Sequence, residues 1–367
     1  MLNIFRFLKL EKKISIDYYQ LRDCLNKPEG INFLNNEANT SYFWSIKFIL
    51  KLKNNYDLVI AESARGAVIA YFYFLFRKTP FVWRQFGITL NDELITFPNK
   101  YKLKVLIKKY FYKTIVNSSG CKAVICTEDG CANKAFFLDR LKMKNEKFHL
   151  IKNQRTPTNL KLTLSKPNTF IITSIGRINK WKKIHLLLNS FKKFIDFLNF
   201  NEDEVKLKLL GLSNDFKYEE YLIQKAKELD IDKYLIILKD LEFEEINKHI
   251  IKSSLTVSLT AYNPIIESLQ NGTPVITYDY GEVYDIFKNF EAVKIICRNI
   301  RKSTYLSQKD ELLIENELSD ALIEFYENKD KLKHIGIQGQ KLLEKEFPTL
   351  EQHTKIVSNI YLKFIKC

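Results

Sequence analysis

The sequence has no Gly-x-Gly-x-x-Gly, so the fingerprint of a dinucleotide-binding turn is missing. Its six cysteines (Cys24, Cys121, Cys126, Cys131, Cys297 and Cys367) include no Cys-x-x-Cys pair, which removes zinc-knuckle and dithiol redox spacing. They read as small buried or loop thiols in a reducing cytosol. Glycine and proline are scarce, 11 and 8 residues, which argues against low-complexity linkers. Asp-x-Asp occurs only at Asp230-Ile-Asp232, between a predicted helix and a predicted strand, where it reads as a turn and not as a metal site. The longest apolar run, Ala67 to Phe76, is half of the roughly 20 residues that a membrane-crossing helix needs. Met1–Leu10 is apolar but leads into Glu11-Lys12-Lys13 instead of a small-residue cleavage site, so no secretory signal is read there. A cytoplasmic protein is expected, soluble or peripheral on the inner face of a membrane.

What is present suits two α/β domains. The chain has 367 residues with 46% apolar side chains, enough for two cores of ordinary size. Its charge of +15 is unevenly spread: residues 1–200 hold 35 Lys/Arg against 14 Asp/Glu, and residues 201–367 hold 23 against 29. A basic first half attracts anionic partners, whether a phospholipid face, a phosphorylated substrate or nucleic acid.

Short β-branched runs alternate with helical spacing, the rhythm of a parallel sheet with helices on its faces. In the first half, strands are predicted at 56–61, 80–84, 123–127 and 148–152, with helices at 66–76 and 102–116. The first 50 residues fit strand or helix nearly equally. Residues 153–168 carry two prolines and interrupt the rhythm. Strands are then predicted at 169–175, 205–210, 234–238, 255–259, 274–278 and 293–297, with helices between them and over most of 310–366. The expected division is an N-terminal Rossmann-like domain over 1–155, a linker over 156–168, a ligand-binding domain over 169–348, and a C-terminal helix over 349–367. Two doubly wound domains in series would face a central cleft, with strand C-termini and helix N-termini turned to the ligand.

Two segments of the second domain carry chemistry. In Thr173–Leu188 (TSIGRINKWKKIHLLL) a strand ends at Gly176, a loop carries Arg177, and a helix opens near Lys182. Two cations at a strand end and a helix N-terminus suit a diphosphate, although loop Arg and Lys are usually only solvated. In Val257–Phe287 (VSLTAYNPIIESLQNGTPVITYDYGEVYDIF) a strand leads into Asn263–Pro264, read as N-cap and first helical turn, with Glu267 on the short helix that follows. Asp279, Gly281 and Glu282 follow the next strand. A carboxylate at Glu267 can hold the vicinal hydroxyls of a ribose; the plainer alternative is a surface Glu on an amphipathic helix.

Together these segments resemble the signature of glycosyltransferase family 4, the group 1 glycosyltransferases. GRINKWKKIHLLL is similar to that family's Gly-Arg followed by a Lys that opens a helix, and NPIIESLQNGTPVITYDYGEVYDIF to its Asn-Pro, Leu-Leu-Glu-Ala, Gly-x-Pro-Val run. LKLLG at 207–211, RQFG at 84–87, TEDG at 127–130 and KFHLIKN at 147–153 are weaker echoes. The resemblance covers about 170–290 well and 55–155 loosely. It implies a GT-B fold and transfer of a sugar from a nucleotide-sugar donor to a glycan or lipid-linked acceptor, a cell-surface glycan precursor, with retained configuration and neither metal nor cofactor. It implies that Gly176, Arg177 and Lys182 hold the donor diphosphate, with Arg177 and Lys182 stabilising the leaving group. Glu267 would bind the ribose, and Asn263, Pro264, Ile265 and Ile266 would line the donor site through their backbone. Two departures stand out. The family often has a second Glu eight positions before the ribose-binding one, where this chain has Leu259. The family's glycine-rich loop near the N-terminus is also absent. Glu62, Arg84 and Asp129 end predicted strands of the first domain and are candidates on the acceptor side, or ordinary loop charges.

Other readings stay open: a same-fold epimerase or phosphorylase, an inactive GT-B partner subunit, or a basic nucleic-acid-binding protein. Against the last, the aromatics do not cluster with Lys/Arg in an RNA-binding motif, so no nucleic acid is expected. An anionic membrane surface is an expected partner. Leu103, Leu106, Ile107, Tyr110 and Thr114 fall on one stripe of the helix predicted over 102–116, with Lys102, Lys109 and Lys113 beside it and Lys104 and Lys108 on the other flank. The competing expectation is that this stripe packs on its own sheet.

Overall fold

The computed structural model describes residues 4, 8, 14–15, 17–18, 32–33, 56–87, 102–128, 133–155, 168–199, 203–212, 215–260, 262–279, 283–298 and 306–365. Among these, Ile4 and Leu8 are helical, and Asp17–Tyr18 pairs in parallel with Asn32–Phe33. Contacts divide the chain into two compact units. One comprises Met1–Glu128, Ala132–Gln154 and Pro348–Cys367; the other is built from Arg155–Phe347.

The first unit holds a four-stranded parallel sheet in the order β1-β2-β3-β4, with β1 Val59–Glu62, β2 Phe81–Gln85, β3 Cys121–Glu128 and β4 Phe148–Lys152. Helix α1 (Ser63–Arg77) connects β1 to β2, and α2 (Lys102–Asn117) precedes β3. Every residue of β2 is buried, because both faces of this sheet are covered. On one face Trp83, Val124 and Cys126 meet Ala67 and Ala70 of α1 and Ile115 and Val116 of α2. On the other, Val82, Ala123, Ile125 and Ile151 meet Ile4, Leu8 and the C-terminal helix α10 (Leu350–Leu362) through Val357, Ile360 and Tyr361. Thr349 starts α10 with a capping box: its hydroxyl accepts from the Gln352 amide, and the Gln352 side chain accepts from the Thr349 amide.

The second unit holds six parallel strands: β5 Phe170–Ile175, β6 Val205–Leu210, β7 Leu235–Leu238, β8 Leu255–Val257, β9 Val275–Tyr278 and β10 Val293–Ile296. Their order is β10-β9-β8-β5-β6-β7. The chain runs outward from β5 in one direction, returns, and runs outward again from β8 in the other. Direction therefore reverses between β5 and β8, and the loops leaving these two strands part there. Helices α3 (Ile184–Leu198), α4 (Phe216–Glu228), α5 (Phe243–Lys252), α6 (Asn263–Gln270), α7 (Val283–Phe287), α8 (Gln308–Glu327) and α9 (Leu332–Glu346) cover the sheet around one continuous apolar core. Asp230, Ile231 and Asp232 make the turn from α4 into β7, at the opposite end of the sheet from Gly176.

Candidate active site

The site begins with two glycines. Gly176 follows β5 with φ +126° and Gly211 follows β6 with φ +155°, both in the left-handed region that glycine tolerates. A Cβ at Gly211 would lie 1.9 Å from the Gly176 carbonyl oxygen, so the two loops cross backbone on backbone. The β5 loop is also tied to its neighbour by bonds from the Gly176 amide to the Leu210 carbonyl (2.9 Å) and from the Ile178 amide to the Leu212 carbonyl (2.9 Å). That leaves room for Lys182 to fold back over the loop: a Cβ at Gly176 would sit 3.3 Å from Lys182 Cε and 3.4 Å from its Nζ.

The local structure around Lys182 differs from the helix opening expected there. Lys180–Lys182 form one 3₁₀ turn, the Lys182 amide donates to Asn179 Oδ1 at 3.2 Å, and Lys183 takes a left-handed conformation (φ 54°) before α3 starts at Ile184. Lys182 thus stands one turn ahead of the helix, with its ammonium 5.1 Å from the Trp181 ring centroid. Lys183 turns inward instead, is buried, and its Nζ lies 4.0 Å from Glu311 Oε1.

Across the switch point, Pro264, Ile265 and Ile266 are buried, Asn263 is exposed, and Glu267 is half-buried. Helix α6 starts at Asn263 itself, so the cap position falls on Tyr262 and not on Asn263 as expected from sequence. The Ile265 and Ile266 amides both donate to the Tyr262 carbonyl (3.0 and 3.3 Å), and Pro264 has no amide hydrogen. These two amides are thus engaged within the first turn of α6.

Charge completes the picture. Burial, and after it the nearby Arg177 guanidinium, lowers the Lys182 pKa to about 8, with Glu267 opposing both. Burial raises the Glu267 carboxyl above the usual range, opposed by Lys182. Two cations side by side, one of them partly desolvated, sit in an arrangement that an added dianion relieves. A hollow at this point is lined by Ser174, Gly176, Arg177, Lys182, Ser258 and Leu259. Leu259 presents a buried apolar wall at the position where the family resemblance has a carboxylate. The hydroxyl of the adjacent Thr260 is buried with no partner among the described residues.

Behind the loop lies a cluster that sequence reasoning missed. The Tyr218 hydroxyl accepts from the His185 amide (3.1 Å) and donates to His185 Nδ1 (2.9 Å). Burial and neighbouring lysines hold His185 down to about pKa 4, so its ring is neutral and its Nε2–H faces Glu311 at 3.9 Å. This cluster fixes the start of α3 and so the end of the loop that carries Arg177 and Lys182. The contact between Gly176 and Gly211 was equally unforeseen; a glycine directly after each of two strand runs was the available signal. Asp279 is buried and caps α7 by accepting from the Tyr284 amide (3.1 Å), while Gly281 and Glu282 lie outside the described residues.

In the first unit, Glu62 and Arg84 are register partners at the C-terminal ends of β1 and β2. Burial raises the Glu62 carboxyl, opposed by Arg84, and its Oε1 is buried without a partner among the described residues. Arg84 is itself buried, at 4% exposure, and so is no open loop charge. Its guanidinium lies 4.7 Å from the Phe86 ring centroid and donates from Nη2 to His353 Nε2 at 3.4 Å. The His353 pKa is lowered to about 4, chiefly by burial and then by Arg84; its neutral ring donates from Nδ1 to the Lys152 carbonyl at 3.1 Å. Asp129 lies outside the described residues.

A family model described as glycosyl transferases group 1 matches residues 157–342, half of the chain. The chain belongs to the group 1 glycosyltransferases. Similar solved structures extend over both units of this glycosyltransferase. A glycosyltransferase from Rickettsia africae ESF-5 is 17% identical with a TM-score of 0.73, covering 100% of this chain and 94% of that one. Anabaena Alr3699/HepE in complex with UDP and glucose is 15% identical with a TM-score of 0.69, covering 98% and 94%. WaaG, a glycosyltransferase involved in lipopolysaccharide biosynthesis, is 10% identical with a TM-score of 0.65, covering 98% and 94%. At these identities the likeness is one of fold: two parallel-sheet α/β units of the GT-B kind. No curated protein sequence matches the chain at a significant level.

Proposed function

We propose that this glycosyltransferase is a family 4 enzyme that transfers a hexose from a UDP-type donor to an acceptor hydroxyl, without a metal and with retained configuration. The observation that carries the reading is the pairing of Arg177 with Lys182 beside Glu267, at the reversal point of the second sheet. In the reaction the bond from the sugar C1 to the diphosphate oxygen breaks, the diphosphate leaves with the electron pair, and the acceptor oxygen bonds to C1. The acceptor proton ends on the departing diphosphate. Arg177 and Lys182 stabilise the negative charge that grows on the leaving group, a role a metal ion fills elsewhere. Glu267 holds the ribose hydroxyls. UDP and glucose in the similar Anabaena structure support this donor class.

On the acceptor side, Glu62 supplies a buried carboxylate able to accept from a sugar hydroxyl, and Arg84 orients it from the neighbouring strand. The acceptor is a cell-surface glycan precursor on the cytoplasmic side, as the lipopolysaccharide role of WaaG suggests. The test is a thermal-shift and saturation-transfer screen against nucleotides and nucleotide sugars, followed by anomeric analysis of the product with and without EDTA. A UDP-dependent rise in Tm and unchanged transfer in EDTA are expected. Stabilisation by no nucleotide, or strong EDTA inhibition reversed by magnesium or manganese, would refute the donor assignment or its metal independence respectively.

A further inference from the structure

The segment from Gly176 to His185 is held at both ends by one neighbour. At its start the Gly176 and Ile178 amides donate to the Leu210 and Leu212 carbonyls, where β6 runs out. At its end the His185 amide donates to the Tyr218 hydroxyl at 3.1 Å. Tyr218 lies in the first turn of α4, the helix that follows β6. Asp215 sets that turn by accepting from the Tyr218 amide at 3.2 Å. The connection from β6 to α4 therefore grips the segment at residues 176–178 and again at 185. Lys182 stands between the two grips.

Accounting for the amides singles out Tyr218. The Lys182 amide donates to Asn179, the Lys183 amide to the Lys180 carbonyl (3.2 Å) and the Leu186 amide to the Lys183 carbonyl (3.0 Å), all within the segment or the first turn of α3. The Ile184 and His185 amides turn instead to an acceptor outside it, the Tyr218 oxygen. Tyr218 is buried, and its own proton goes to His185 Nδ1 at 2.9 Å, which leaves both lone pairs for the amides. Burial pushes the phenol above its ordinary value, so it stays protonated. The Glu311 carboxylate is the other group at this point, but it lies 4.0 Å from Lys183 Nζ and 3.9 Å from His185 Nε2, beyond hydrogen-bond reach. The phenol oxygen thus sits where a helix start otherwise offers its amides to an anion.

We propose that Tyr218 is a positioning residue for the transfer: its hydroxyl pins the start of α3, keeps Lys182 folded over Gly176 beside Arg177, and occupies the helix amides, so that these two side chains hold the donor diphosphate. Tyr218 touches neither donor nor acceptor and acts through Lys182. Without the hydroxyl, the His185 amide and ring nitrogen lose a buried partner, the left-handed turn at Lys183 is freed, and Lys182 swings toward water. The proposal rests on the nucleoside-diphosphate reading of the donor. The placement of Lys182 is measured with no ligand present, so its failure and the failure of that reading are separate results.

The experiment is an NMR titration of the full chain labelled on lysine, with the Lys182 resonance identified by its loss in Lys182→Met. In wild type it should titrate near 8, and in Tyr218→Phe it should return toward the ordinary 10.5, because a freed lysine leaves both its burial and Arg177. His185→Asn offers Oδ1 to the phenol in place of Nδ1 and should keep the wild-type titration, which a general loosening of α3 would not. UDP affinity, by calorimetry, should weaken about tenfold in Tyr218→Phe, the worth of one buried hydrogen bond, and stay unchanged in His185→Asn. Hydrogen exchange on wild type gives a reading that needs no substitution: the His185 amide should be protected like the interior of α3, whereas first-turn amides without an acceptor exchange fast. Lys182 still titrating near 8 in Tyr218→Phe overturns the proposal. So do an equal shift in His185→Asn, unchanged UDP affinity in Tyr218→Phe, or a fast-exchanging His185 amide in wild type. A wild type with the expected titration and protection that binds no UDP supports the tether and refutes the donor reading instead.

Discussion

Replacing Lys182 with methionine separates stability from function in opposite directions. A lysine displaced from the ordinary value near 10.5 to about 8 carries roughly 3 kcal/mol of cost for its charged form in the folded protein. The sign follows from proton counting. Between pH 8 and 10.5 the unfolded chain keeps a proton that the folded one has released, so this contribution to stability rises with pH across that window. At pH 7 both states are protonated, and the folded protein bears the whole cost. Methionine keeps the volume and removes the charge, but Glu267 then loses the cation that opposes its burial. The net gain is therefore smaller, about 1–2 kcal/mol, which is a rise of about 2–8 °C in Tm for a unit of this size. Function moves the other way: kcat/KM with a UDP-hexose should fall at least about tenfold, because the cation acts on charge that develops as the diphosphate departs. In the wild type, UDP binding at pH 8 should take up about half a proton, since the dianion restores the lysine's charge. Calorimetry in two buffers of different ionisation enthalpy measures this. A Lys182→Met protein with wild-type turnover would refute the assignment of the loop. A protein no more stable than wild type, with no proton uptake on UDP binding, would refute the electrostatic argument behind it.

Gly211→Ala places a Cβ on the Gly176 carbonyl and should lower stability by about 1–3 kcal/mol and donor affinity along with it; urea melts and UDP titration that match wild type would show that the crossing of the loops is unimportant. Glu267→Gln should raise the donor KM about tenfold with little change in kcat, because a ribose contact is made equally in ground and transition states; a loss confined to kcat would place Glu267 at the reacting centre instead. His185 and His353 are both held near pKa 4, below the value near 6.5 of the unfolded chain, so their contribution is intact above pH 6.5 and lost as pH falls toward 4. Denaturant midpoints should drop across that window, and His185→Phe/His353→Phe should flatten the slope; an unaltered slope in the double variant would show that other groups dominate.

The elements that build the candidate site were legible because their signals are local. The run FIITSI ending at a glycine marks β5, and Asn-Pro followed by Gly-x-Pro brackets α6 and introduces β9. The placement of Lys182 was not legible. No side-chain pattern announces a left-handed lysine at 183, and that residue is what ends the 3₁₀ turn ahead of α3. Arg84 shows a different limit. Its sequence neighbours place it at a strand end, but its burial depends on His353 and Tyr361, more than 260 positions away. For α2, periodicity identified the exposed stripe correctly yet could not orient it. Two apolar sets share the helix, and contact with Trp83 and Ala70 selects the one containing Ile115 and Val116.

The return of the C-terminus to the first unit has a consequence for biosynthesis. Val82, Ala123, Ile125 and Ile151 form one face of the first sheet, and α10 covers it with Val357, Ile360 and Tyr361. The strands of that sheet leave the ribosome by residue 152, but their cover begins at Pro348. At synthesis rates of about 5–20 residues per second, the nearly 200 intervening residues leave this apolar face without α10 for roughly 10–40 s. The first unit therefore starts folding first and finishes last. Removing as few as twenty residues from the C-terminus should make the N-terminal half of the chain, and not the truncated end, the part that aggregates.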